Sequence, residues 1–294
     1  MPRPTILLTG ADGQVGFELA RGLAVHGDVI AVDRAALDLA DADAIVASVR
    51  QVRPQLIVNA AAYTAVDRAE SERDAAFAVN ARAPGILAEE AKRLDAVLIH
   101  YSTDYVFDGQ GVTPYDEDAP TGPLNVYGAS KLEGERAIAQ AGARAVVFRT
   151  SWVYGARGSN FLLTMLRLAK ERDELRVVAD QHGTPNWCRT LADATTATVA
   201  RGLPWLAERA GLYHLASSGS TTWHGFAQAI IGDVARPRVV GIATSDYPTP
   251  ARRPAYGVLS ARRFVATFDY TLPDWRAALA TCRSAMSGAP PGDG

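Results

Sequence analysis

The stretch Thr5-Ile6-Leu7-Leu8-Thr9-Gly10-Ala11-Asp12-Gly13-Gln14-Val15-Gly16 decides the reading of this chain. An apolar run ends abruptly in a glycine, as a strand buried on both faces of a parallel sheet does. Helical periodicity follows from Gln14 to Val25. Gly10 permits a tight turn, Gly13 lets the backbone approach a pyrophosphate, and Gly16 lets the helix pack close to the strand. A helix N-terminus placed there offers free N–H groups and the positive end of its dipole to phosphates.

The same rhythm continues outward. Asp28–Asp33, Gln55–Asn59, Ala96–Tyr101 and Ala145–Arg149 are expected strands. Between them, Asp41–Val52 suits a helix capped by Asp41, Ala75–Arg93 a long alanine-rich helix, and Tyr127–Ala141 a third. Strands alternating with helices predict an α/β fold, a Rossmann-type doubly wound parallel sheet. After Trp152 the rhythm loosens. Helices are expected over Phe161–Lys170, Leu191–Arg201 and Trp223–Ile231, separated by proline-containing stretches. The expected organisation is a dinucleotide-binding domain over 1–152 and a smaller, partly interleaved α/β substrate-binding domain over 153–286. Some of its segments can return to the first sheet, and a disordered tail is expected over 287–294.

Of 294 residues, 48% are hydrophobic, which supports a large core, and the net charge is −2. That balance, with no basic run, gives no reason to expect a nucleic-acid or membrane partner. The N-terminal apolar run is too short for a signal peptide, and no uncharged stretch reaches membrane-spanning length. Two distant cysteines, Cys188 and Cys282, fit a reducing cytoplasm and no zinc spacing.

Tyr127 and Lys131 lie four residues apart in Asn125-Val126-Tyr127-Gly128-Ala129-Ser130-Lys131, hence on one helix face. An ammonium one turn from a phenol favours the phenolate and lowers its pKa, so the tyrosine can exchange a proton with a substrate oxygen. Asp33, at the end of the second strand, can accept from ribose hydroxyls, which favours NAD; Arg34 can meet a 2′-phosphate, which favours NADP. Asp38 is a second acid nearby. The choice between NADPH and NADH stays open. The small residues of Asn59-Ala60-Ala61-Ala62-Tyr63 allow close packing against a dinucleotide. Asn80, in an apolar helix, either braces Lys131 through water or is a satisfied core amide. The Thr103 hydroxyl, after the fourth strand, can hydrogen-bond a reacting carbonyl. Of His26, His100, His182, His214 and His224, only His182 falls in a segment placed near a substrate.

Several segments together resemble the dTDP-4-dehydrorhamnose reductases of the extended short-chain dehydrogenase/reductase superfamily. They are Gly13-Gln14-Val15-Gly16, Ser102-Thr103-Asp104-Tyr105-Val106-Phe107-Asp108-Gly109, Asn125 to Lys131, Arg149-Thr150-Ser151-Trp152-Val153-Tyr154-Gly155, Asp180-Gln181-His182-Gly183-Thr184-Pro185 and Arg253-Pro254. The resemblance implies reduction of a dTDP-linked 4-keto-6-deoxyhexose. In it Tyr127 donates the proton to O4, Lys131 lowers the tyrosine pKa and holds the nicotinamide ribose, and Thr103 orients the keto group. Asp104 and Trp152 contact the deoxysugar. Gly13, Gln14 and Val15 bind the pyrophosphate; Asp38, Leu39, Ala61, Ala62 and Tyr63 line the rest of the dinucleotide site.

Two departures matter. Dehydratases of the superfamily carry an acidic pair after the threonine, whereas Asp104 is followed by Tyr105, which argues for reduction. Arg189, in Asn186-Trp187-Cys188-Arg189, stands where relatives place an acid for a magnesium ion, so no metal is expected, and a monomer or weak homodimer is. Another 4-keto-sugar reductase or epimerase, giving for example 6-deoxy-L-talose, is one alternative. A non-catalytic NADP-binding subunit of the methionine adenosyltransferase type is the other; intact Thr103, Tyr127 and Lys131 weigh against it.

Overall fold

The computed structural model describes residues 3–232 and 237–287. Six parallel strands form its main sheet. Thr5–Thr9 (β1) lies between Asp28–Val32 (β2) at one edge and Leu56–Asn59 (β3), followed by Val97–Thr103 (β4), Arg144–Thr150 (β5) and Gly211–His214 at the far edge. β1 shows why. Ile6 and Leu8 enter one apolar cluster with Leu19, Leu23, Val58 and Phe148, while Leu7 enters another with Ile45, Ile57, Leu98 and Val147. Successive side chains point to opposite faces, so a strand with no polar interior position must be covered on both sides.

The chain leaves β1 toward β2, then crosses back to place β3 on the other flank of β1. The carboxyl ends of β1 and β3 therefore frame the switch point where ligands bind in sheets of this kind. There Thr9 is in register with Asn59, and its hydroxyl donates to Asn59 Oδ1 at 2.7 Å. Gly10 turns away with φ +74°, and a Cβ on it would stand 2.7 Å from the Ala61 nitrogen. A Cβ on Gly16 would stand 1.9 Å from the Gly10 carbonyl oxygen, so only glycine lets the Gln14–Leu23 helix (α1) begin this close to β1. The Ala42–Val52 helix (α2) is capped by Asp41, which accepts from Ala44 N–H at 3.0 Å.

The long helix expected over 75–93 is broken. Arg73–Phe77 and Ala83–Arg93 are α-helical, and Ala78–Arg82 between them is a π-helical turn. Pro84 has no N–H to give the Asn80 carbonyl, so regular i→i−4 bonding fails there. Gly134 of the Val126–Ala141 helix packs against that carbonyl; a Cβ would meet it at 2.1 Å.

Past Trp152 a third cluster forms around Tyr154, Leu162, Leu175, Phe226 and Trp275. It is built on the parallel pair Glu174–Val178 and Arg238–Ile242 with helices Phe161–Glu171, Trp223–Ile231 and Trp275–Ser287. The Cys188–Ala200 helix departs from it and packs on α1, with Thr196 against Gly22, and Gly211–His214 pairs with β5. Residues 288–294 of the expected tail lie outside the described residues, and Ser287, counted with them, ends the last helix. Among the described residues no helix is long and apolar enough to cross a membrane.

Candidate active site

A cleft of about 530 Å³ opens over the carboxyl ends of β1, β3 and β4. Gly10, Gly13, Gln14, Val15, Asp33, Arg34, Asp38, Leu39, Ala61, Ala62, Tyr63, Tyr127 and Lys131 all line it. Gly16 sits behind this wall as the helix–strand contact. At one end, α1 starts from Gly13 with no side chain capping its first turn. Such an N-terminus carries free N–H groups and positive potential into the cleft, which fits an anionic pyrophosphate. Asn160 amide donates to Gln14 Oε1 at 2.9 Å and so fixes that side chain. At the rim, Asp33 accepts from Ala36 N–H at 2.9 Å, and exposed Arg34 stands 3.8 Å from Asp38.

The other end holds the proton chemistry. Asn125 caps the Val126–Ala141 helix by accepting from Gly128 N–H at 2.8 Å, and its amide donates to the Arg252 carbonyl at 2.8 Å. Gly128 lets this helix rest on the turn at Asp104–Val106; a Cβ would meet the Tyr105 carbonyl at 2.1 Å. Tyr127 is thereby sealed beside that turn, edge-on to Tyr105 at 5.6 Å. Burial pushes its phenol up to about 12, opposed by a hydrogen bond with Thr103 and reinforced by the nearby Asp104 charge. The Thr103 hydroxyl donates to Asp104 Oδ1 at 3.1 Å and accepts from Tyr105 N–H at 3.2 Å. Burial lifts the Asp104 carboxyl up to about 7 against the Thr103 hydrogen bond, and its Oδ2 has no partner.

Lys131 is 1% exposed. Spacing alone would bring its charge toward Tyr127. Nζ turns instead to the Tyr101 carbonyl at 2.5 Å and to His100 Nε2 at 3.2 Å. Desolvation takes Lys131 down to about 8, opposed by Glu135, while burial, Thr103 and Asp104 set the Tyr127 shift. Asn80 is a satisfied core amide with no bond to the lysine. It clasps Tyr63 through N–H (2.8 Å) and carbonyl (3.0 Å), and donates to Ser130 Oγ at 3.0 Å.

Trp152, in a left-handed conformation at φ +43°, has one ring face covered by Trp223 at 3.6 Å and 9°. Gly183 leaves room for the indole edge; a Cβ there would meet it at 2.4 Å. Thr103, Asp104 and Trp152 lie beside the cleft rather than on its wall. Sequence reasoning missed the Gly158–Ser159 loop that closes over Gln14, as well as Ser102 and Thr150 in the wall. It also missed His100, a lone polar residue in an apolar strand, where an even period would have placed it facing the helix that carries Lys131. Arg189 pairs with Glu18 at 3.1 Å, and among the described residues no three His, Cys, Asp or Glu side chains converge as metal ligands.

Residues 4–287 match the RmlD substrate binding domain family. The dTDP-4-dehydrorhamnose reductase of Burkholderia thailandensis is 51% identical over 289 residues, covering 94% of this chain and 97% of that protein. The Escherichia coli K12 protein of the same name is 46% identical, covering 92% and 94%. The crystal structure of dTDP-4-dehydrorhamnose reductase from Bacillus anthracis in complex with NADP superposes with a TM-score of 0.88 at 33% identity, over 96% of this chain and 99% of that one. A Thermus thermophilus UDP-glucose 4-epimerase at 20% identity and TM-score 0.80 shares the fold.

Proposed function

The chain belongs to the RmlD substrate binding domain family, among the dTDP-4-dehydrorhamnose reductases, and from that premise we propose that it reduces the C4 keto group of dTDP-4-dehydro-6-deoxy-L-mannose to give dTDP-L-rhamnose. NADPH or NADH supplies the hydride. The observation that carries this reading is one cleft that joins an uncapped, glycine-opened helix to a half-buried tyrosine and a buried lysine one turn apart.

The residue roles belong to the same proposal, and the geometry supports them. Gly13, Gln14 and Val15 hold the pyrophosphate at the start of α1, and Gly10 and Gly16 shape that turn. Ala61, Ala62 and Tyr63 flank the dinucleotide, with Asp33, Arg34, Asp38 and Leu39 at its adenosine end. Tyr127 gives its proton to the oxygen that gains charge at C4. The Thr103 hydroxyl stands within hydrogen-bond reach of Tyr127 and favours its phenolate, so it eases the proton off toward the substrate oxygen. A carboxyl at about 7 is near neutrality in both charge states, so Asp104 can return a proton along the same line after turnover. A single acid here suits reduction, since elimination of water needs an acid and a base together. Trp152 offers its remaining face to the C–H face of the deoxysugar.

The division near residue 152, action in the cytoplasm and a monomeric or weakly dimeric state belong to the same proposal. The test is oxidation of NADPH and NADH with the 4-keto sugar, with the product configuration read by NMR. We expect L-rhamnose configuration at C4. Absence of turnover, or the talose epimer, overturns the reading.

A further inference from the structure

Beneath the lysine runs a chain of hydrogen bonds whose directions are forced. Ala61 N–H, which can only donate, meets Asn59 Oδ1 at 3.2 Å. That oxygen therefore cannot be the amide nitrogen, and Asn59 Nδ2 faces His100 Nδ1 at 3.0 Å as a donor. His100 Nδ1 must then be an unprotonated acceptor, which leaves the ring proton on Nε2. Nε2–H points at Lys131 Nζ, 3.2 Å away. An ammonium has only donors and would face this N–H proton to proton; an amine has a lone pair for it. The amine can still donate to the Tyr101 carbonyl.

We infer that His100, locked in one tautomer by Asn59, is a positioning residue that turns Lys131 away from Tyr127 and biases it toward the neutral amine when no dinucleotide is bound. The tyrosine then has no adjacent charge to activate it until the lysine leaves this bond. Burial acts in the same sense: desolvation and then the Lys131 charge hold His100 well below its ordinary range, and desolvation takes Lys131 down to about 8, above which the amine predominates. The other charged group acting on Lys131 is Glu135 of the same helix, and it is already engaged by Arg149 of β5 at 2.6 Å and by Ser102 of β4 at 2.5 Å.

The inference rests on Lys131 serving Tyr127, but its test needs no turnover, so the two readings fail separately. The chain has three lysines, Lys92, Lys131 and Lys170, and five histidines, so selective labels resolve well. In the cofactor-free protein, nitrogen-15 histidine spectra should show His100 protonated on Nε2, bare on Nδ1 and unchanged from about pH 6 to 9. Carbon-13 lysine spectra should show Lys131 titrating far below the other two. Asn59→Asp should reverse the tautomer and raise the Lys131 titration by about one pH unit or more, and His100→Phe, which removes the donor, should raise it as well. A His100 ring protonated on Nδ1, or one that titrates in this range, overturns the inference. So does a Lys131 titration identical in wild type and variants. If neither variant folds, the wild-type histidine spectrum alone decides.

Discussion

Two helices reach the cleft and serve it in opposite ways. α1 begins at Gly13 with its first turn uncapped, so what it offers is backbone: N–H groups and a dipole. The Val126–Ala141 helix begins at Asn125 with its first turn satisfied and its cap tied to the Arg252 carbonyl. What it offers is side chains, Tyr127 and Lys131, on a rigid mount. The difference teaches where charge comes from at each end of the site. An open N-terminus binds anions without any charged residue. A closed one gives that up and gains precise placement of a proton donor.

The contrast can be broken at several points. Tyr127→Phe should lower kcat by roughly 10² to 10⁴-fold, while NADPH affinity by fluorescence titration stays unchanged because α1 is untouched. Equal turnover would show that the capped helix presents some other acid. Asp104 lies in the turn beneath that helix, and its folded-state pKa is raised, to about 7. The proton it holds favours the fold fully below its unfolded value near 4, and this contribution is lost as pH rises from there through about 7. Asp104→Asn should therefore gain stability over wild type across that window, by roughly 4 kcal/mol at most. Urea denaturation at pH 4 and pH 8 measures it, and a difference independent of pH would refute it.

At the open helix, Gly16→Ala must push the Gly10 carbonyl aside. It should cost about 1–3 kcal/mol of stability and weaken NADPH, leaving any residual kcat at saturation largely intact. Asn125→Ala should cost about 1 kcal/mol and lower kcat more than it weakens NADPH, because the mount loosens and the phosphate site does not. The smallest expected effect is the most pointed. Gly13→Ser closes the open helix with a side-chain acceptor. Its φ of −70° tolerates serine, so stability should rise by a few tenths of a kcal/mol while NADPH binds less tightly. A variant that gains stability and also binds NADPH better would remove the contrast between the two ends.

The glycine loop and the tyrosine were legible because their chemistry is local. A tight turn, an open helix end and a one-turn spacing are properties of a few consecutive residues. Strand identities were legible for the same reason, since β1 and β3 have no polar interior position. The break at Ala78–Arg82 was not, although Pro84 was visible, because alanine-rich periodicity on both sides argued for continuity. Trp223 could not be paired with Trp152 from sequence, as the two lie 71 positions apart in number and meet only when the third cluster closes.

The sequence by itself determined the parallel sheet and marked the proposed dinucleotide loop and proton donor, because strand burial, glycine geometry and helical spacing act within a few residues. Only the tertiary structure decided the charge that surrounds that donor. His100 on β4, Asn59 on β3 with Ala61 just beyond it, and Lys131 on its helix meet from three separate segments. Burial at that meeting point pushes Tyr127, Asp104 and Lys131 toward their neutral forms, and burial is a property of how segments pack rather than of any one of them.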